Sequence, residues 1–152
     1  MSKEGAEVKK QIQQAAIDQM KTQQWDYEYT KDHYIYMDAV IYFNRTGRDD
    51  NNVYKLNNDA LEKIVYDNDS RILTRTQKIL YDKDNPRIEL TFTPVDYIGI
   101  FNSQDELDVF EQTCQQCNRY KNNCSILREA KEGRVQEHIV DMKCVKFKPT
   151  KK

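Results

Sequence analysis

Glycine and proline are scarce in this chain: 4 Gly and 3 Pro in 152 residues, with a single Trp. No G-x-G-x-x-G or Walker pattern occurs, which removes the usual phosphate-cradling loops. Long apolar runs are missing too. No stretch nears the ~18–20 consecutive apolar residues that span a bilayer, so no membrane span is expected. The N-terminal residues Met1-Ser-Lys-Glu-Gly-Ala-Glu-Val-Lys-Lys10 hold no apolar h-region, so no secretory leader is expected. A charge excess of either sign is lacking: 24 Lys+Arg face 25 Asp+Glu, for a net charge of −1. That excludes a bulk basic field for nucleic acid, and any DNA contact must come from a local basic patch or metal-bridged phosphates. His33 and His138 are the only histidines, and no Ser–His–Asp or Cys–His constellation can be built from them.

What is present is a polar chain with a patterned core. Charged residues make up 32%, hydrophobic residues 38%, and mean hydropathy is −0.93. Ten Tyr and five Phe supply core material that a disordered chain would lack. Charge is uneven: through residue 100 there are 14 basic against 17 acidic residues, and beyond it 10 against 8. Lys143, Lys146, Lys148, Lys151 and Lys152 form an acid-free C-terminal stretch, while Asp105, Glu106, Asp108 and Glu111 read as a solvated acidic face.

The periodicities predict an order of elements. Val8, Ile12, Ala16 and Met20 recur at four-residue spacing, which predicts a helix over 4–23. Residues 33–43 are β-branched and aromatic with apolar groups on both faces, which predicts a central strand. Residues 44–50 have turn chemistry, and 52–64 return to helical period through Val53, Leu56 and Ile64. The alternating runs 71–81 and 87–93, joined by Asp82-Lys-Asp-Asn-Pro86, predict a hairpin. Ser103 and Glu106 form an S-x-x-E capping box opening a helix with Leu107 and Phe110 inside.

The most informative stretch is Arg48-Asp-Asp-Asn-Asn-Val-Tyr-Lys55, at a strand-to-helix junction. Four short polar side chains in a row exceed what one N-cap needs. A second group, Asp67-Asn-Asp69, follows the same helix. Hard carboxylate oxygens converging from separate elements suit Mg²⁺, and two such ions can support phosphodiester hydrolysis. Caps and turns account for the same residue types, so spacing alone leaves both readings open.

The segment from Ala39 to Asp96 resembles the RusA family of Holliday-junction resolvases, common in phages and prophages. Asp49-Asp50-Asn51-Asn52-Val53-Tyr54-Lys55 takes the place of the family's Asp-x-Asp-Asn-x-x-Lys motif, and Asp59-Ala60-Leu61 that of its following Asp-Ala-Leu. Asn68-Asp69-Ser70-Arg71-Ile72 takes the place of its acid pair, and Arg87-Ile-Glu-Leu-Thr-Phe-Thr93 that of its hairpin end. The resemblance implies metal-binding aspartates at Asp49 and Asp69, and a catalytic lysine at Lys55. It also implies a motif asparagine at Asn52, and DNA contacts through Arg48, Asn52 and Lys55. Asn51 stands where the family has its second metal aspartate, so a charge is lost; neighbouring Asp50, or the spare acid Asp67, could compensate. The chain also begins at about the family's first helix, without its N-terminal strand and Asn-rich loop.

All four cysteines fall late: Cys114-x2-Cys117-x6-Cys124-x19-Cys144. A polar chain without a leader seldom uses structural disulfides. Four thiolates with one C-x-x-C pair suit tetrahedral Zn²⁺, and a small appendage poor in apolar groups needs a staple. Free, partly buried cysteines and an iron–sulfur cluster stay open as alternatives.

Together these readings predict an α+β protein. A RusA-like domain would occupy 1–100, with a small mixed sheet covered by helices, and a helical four-cysteine tail would occupy 101–152. The implied activity is Mg²⁺- or Mn²⁺-dependent cutting of four-way DNA junctions by a homodimer, in the cytoplasm of a bacterial host. The alternatives are a non-catalytic branched-DNA binder and a small metal-stapled phage interaction protein.

Overall fold

The computed structural model describes residues 2–48 and 50–150, without the side chains of Asp50 and Asn51. It is an α+β structure of two compact units, Met1–Pro94 and Val95–Lys152. The division falls after Pro94, so residues 95–100 go with the cysteine-bearing unit. No helix among the described residues is long and apolar enough to cross a membrane.

The first unit opens with α1, Lys3–Met20, capped by Ser2, whose Oγ accepts from the Gly5 N–H at 3.0 Å. The helix stops three residues short of the expected end, where the Thr22 hydroxyl donates to the Gln19 carbonyl. A short 3₁₀ turn, Glu28–Lys31, leads to β1, Ile35–Phe43, then α2, Asp50–Leu61. A second 3₁₀ turn, Asp69–Arg71, precedes β2, Ile72–Tyr81, and β3, Arg87–Pro94, follows.

The sheet order is β2-β1-β3, with β1 parallel to β2 and antiparallel to β3. β1 is central, as its two-sided apolar pattern predicts. The expected hairpin between β2 and β3 does not form, because β1 lies between them. The strip of Ile35, Met37, Ala39 and Ile41 is almost wholly buried and needs a partner strand on each side. Burying each large member of that strip contributes roughly 1.5–3 kcal/mol. The link 82–86 therefore arches over the end of β1, a span of about 10 Å between strands two places apart. The Asp82 N–H donates to the Phe43 carbonyl at 2.8 Å under that arch. Turn-rich links serve a hairpin and an arch equally, so the sequence signal does not separate them.

One face of β1 carries Ala39, Ile41 and Phe43 against Val53 and Tyr54 of α2 and Ile88 and Leu90 of β3. Below it, Leu61, Val65 and Tyr66 pack with Ile12, Ala16 and Met20 of α1, with Trp25, and with Phe92. The Trp25 Nε1–H donates to the Val65 carbonyl at 2.7 Å, which ties the loop after α1 to the segment that follows α2.

The second unit contains α3, Gln104–Gln115, α4, Ile126–Lys131, and a small antiparallel pair, β4, Ile139–Val140, and β5, Lys143–Cys144. The Ser103 Oγ caps α3 by accepting from the Glu106 N–H at 3.2 Å. Glu106 reaches back to the Asn102 N–H at 2.7 Å, one residue earlier than the usual reciprocal bond. Leu107 and Phe110 are buried with Phe101 and Ala130, and Cys114 and Cys144 pack at the edge of that cluster.

Candidate functional site

α2 presents its apolar side to the sheet. Val53 and Tyr54 face β1, Asn57 is buried and donates through Nδ2 to the Val53 carbonyl at 3.0 Å, and the Tyr54 and Thr76 hydroxyls share a hydrogen bond. The opposite side is solvated. Asn52 and Lys55 are exposed there, three residues apart and so on one helical face. Arg48, just before the helix, is exposed too. Asp49 lies outside the described residues, as do the side chains of Asp50 and Asn51, so their placement relative to Lys55 is not described.

The second acidic group divides into two roles. Asp67 is an ion-pair acceptor. Its carboxylate holds Lys63 at 2.9 Å, with Lys31 and Arg71 nearby, and the Lys63 hydrogen bond draws its pKa below the usual carboxylate value. Its backbone N–H donates to the buried Thr30 hydroxyl at 3.0 Å. Arg71 Nη1 lies 3.9 Å from Asp67 Oδ2, beyond hydrogen-bond reach, and is buried without another partner among the described residues.

Asp69 is different. It is exposed at the head of its 3₁₀ turn, where Asn68 Oδ1 accepts from the Ser70 N–H at 2.9 Å. Burial, and then the charges of Asp69, Glu62 and Asp59, push the Tyr66 phenol above its usual pKa. The Tyr66 hydroxyl donates to the Asn58 carbonyl at 3.0 Å.

The parallel register sets where Asp69 stands relative to the segment 44–48. Ile35 pairs with Ile72 and Phe43 with Tyr81. Asp69 thus lies at the end of the sheet where β1 begins, and residues 44–48 at the end where it finishes. α2, with its 12 residues, spans about 18 Å between those ends. Asp69 shares no hydrogen bond or ion pair with Lys55 among the described residues. Among those residues, no three His, Cys, Asp or Glu side chains stand close enough to hold a metal ion. The donor chemistry of Asp49, Asp50 and Asp69 is the hard-oxygen type Mg²⁺ takes, but Asp69 is the only one whose side chain is described.

A polar network unremarked in the sequence lies on the other face of β1. Asp38 accepts from Arg75 Nε at 2.7 Å, Arg75 Nη2 at 2.8 Å and Gln77 Nε2 at 3.0 Å. Arg75 also lies 3.8 Å over the Tyr36 ring, and Arg87 3.6 Å over the Tyr42 ring. Gln77 is the residue at which the register shifts, beside Ala39 and Val40. Alternation in β1 places Tyr36, Asp38 and Tyr42 on one side; only the register supplies their arginines.

In the second unit the four cysteines come to one cavity of about 320 Å³, from the end of α3, the loop before α4, and β5. All four thiols are free and half-buried. Burial, and then the charges of Cys144, Cys117 and Cys124, push the Cys114 thiol up to about 11. The Lys148 N–H donates to Cys117 Sγ at 3.5 Å.

No protein family, curated protein or solved structure matches this chain.

Proposed function

We propose that the chain is a Mg²⁺-dependent endonuclease that cuts four-way DNA junctions as a homodimer, in the cytoplasm of a phage's bacterial host. The observation that carries this reading is the ordered RusA-like series of residues from Asp49 to Thr93, with Asn52 and Lys55 in α2, Asp69 in the turn before β2, and Arg87 to Thr93 in β3. Asp49 and Asp69, with Asp50 or Asn51, would hold the metal. Bound Mg²⁺ supplies a Lewis acid and a more acidic water. Lys55 would stabilise charge developing on the phosphate, and exposed Arg48 and Asn52 would hold the DNA backbone. A two-fold junction calls for two matched sites, hence the dimer.

A synthetic four-way junction incubated with the protein and Mg²⁺ or Mn²⁺ tests the reading. Paired symmetric nicks are expected, with linear duplex left intact. Tight junction binding without nicking would sink it.

That outcome is the second reading, a branched-DNA binder without catalysis. Two observations favour it: Asn51 in place of a carboxylate, and Asp69 at the end of the sheet opposite residues 44–48.

A further inference from the structure

We propose that Cys114, Cys117, Cys124 and Cys144 bind one structural Zn²⁺ that closes the Val95–Lys152 unit. Thiols distributed over 31 residues of chain, from 114 to 144, line a single cavity, and the other three lie within electrostatic reach of Cys114. No disulfide joins them. Four soft donors with no imidazole or carboxylate among them match a tetrahedral thiolate site with no position left for substrate, so the ion's role is structural.

The surroundings fit the charge of such a centre. Zn²⁺ with four thiolates carries a net charge of −2. Arg119, Lys121, Arg128, Lys131 and Lys146 line the same cavity against one acid, Glu111. The Lys148 N–H already donates to Cys117 Sγ, the kind of outer contact that steadies a metal-bound thiolate. The unit also needs a staple. Its buried cluster is Phe101, Leu107, Phe110 and Ala130, a small core for a unit below ~70 residues. Left-handed backbone occurs at Lys121 and Asn123 just before Cys124, and at Asp141 and Met142 just before Cys144. Such conformations persist only where the surroundings hold them. Among the described residues no three ligands already stand at coordinating spacing; the ion draws the thiols inward. The site is independent of the nuclease reading, since it uses no residue of the first unit.

The test uses the full chain, purified without chelator or metal-affinity tag. Elemental analysis is expected to find one zinc per chain. Substituting Co²⁺ is expected to give the visible absorption of tetrahedral cobalt thiolate. A strong chelator should release the zinc, expose four thiols to a thiol reagent, and open the second unit to protease before the first. C144S should lose the zinc. Because that variant could misfold for other reasons, the chelator experiment on the unaltered chain decides. Absence of stoichiometric metal would overturn the proposal. So would iron with sulfide, two disulfides, or a chelator that leaves thiol exposure and proteolysis unchanged. Junction cleavage is measured separately, so either proposal can fail alone.

Discussion

Arg75 grips Asp38 across the β1–β2 ladder with two parallel hydrogen bonds, while its guanidinium covers Tyr36. That fork geometry is the strong form of an ion pair, though both groups remain partly solvated. Arg75 holds the Asp38 carboxyl below the usual carboxylate pKa. Because the folded-state pKa is the lower one, the pair stabilises the fold above the unfolded-state value near ~4. That stabilisation fades as pH falls through the folded value. D38N should cost about 1 kcal/mol at pH 7 in a denaturant titration, with the gap to wild type closing in acid. An unchanged gap would remove the ion pair as its cause.

Thr30 is 1% exposed, and its hydroxyl joins two segments 37 residues apart. It donates to the Tyr27 carbonyl at 2.7 Å and accepts from the Asp67 N–H. Thr30→Val keeps the shape and removes both bonds. The expected loss is roughly 2 kcal/mol, because the half-buried Asp67 N–H loses its acceptor. Thermal unfolding of the two proteins measures it; equal midpoints would contradict the assignment.

Gly99 has φ +56, and a Cβ there would collide with the Ala130 carbonyl oxygen and the Lys131 backbone. The same carbonyl accepts from the N–H groups of Ile100 and Gly133. Gly99→Ala should therefore destabilise the second unit by about 3 kcal/mol. Limited proteolysis should show faster cutting in 95–152. Gly47→Ala meets no atom of the described residues within 4 Å and costs only its left-handed φ, so its effect should be smaller.

Under the nuclease reading, Asp69→Asn should reduce junction nicking at least about 100-fold while leaving junction affinity within a few-fold. Lys55→Ala should lower the cleavage rate and weaken binding modestly, since a single cation contacts phosphate at most locally. Nicking that survives Asp69→Asn would remove Asp69 from the site. The position of Asp69 in the parallel register makes this the sharpest single variant.

The elements of this protein are written in its local sequence. The spacing of Ile12, Ala16 and Met20, the alternation through Ile35 to Phe43, and the Ser103 cap each specify an element from neighbours alone, because period and capping are local properties. So too are the residue types on offer: acids beside α2, and four thiols late in the chain. Which elements meet is a non-local matter. β1 enters between β2 and β3 because a strand with so deeply buried a face gains more from a hydrogen-bonded partner on each edge than the link 82–86 gains by forming a tight turn. That insertion, invisible to a five-residue window, pairs Asp38 with Arg75 and places Asp69 at the far end of α2 from residues 44–48. Asp67 likewise looks like a free acid in sequence and becomes an ion-pair acceptor once Lys63, Lys31 and Thr30 surround it. Sequence by itself determined which chemistry this chain carries and on which local elements. Tertiary structure alone decided which of those groups share a site, because strand order and register are settled by burial summed over the whole sheet.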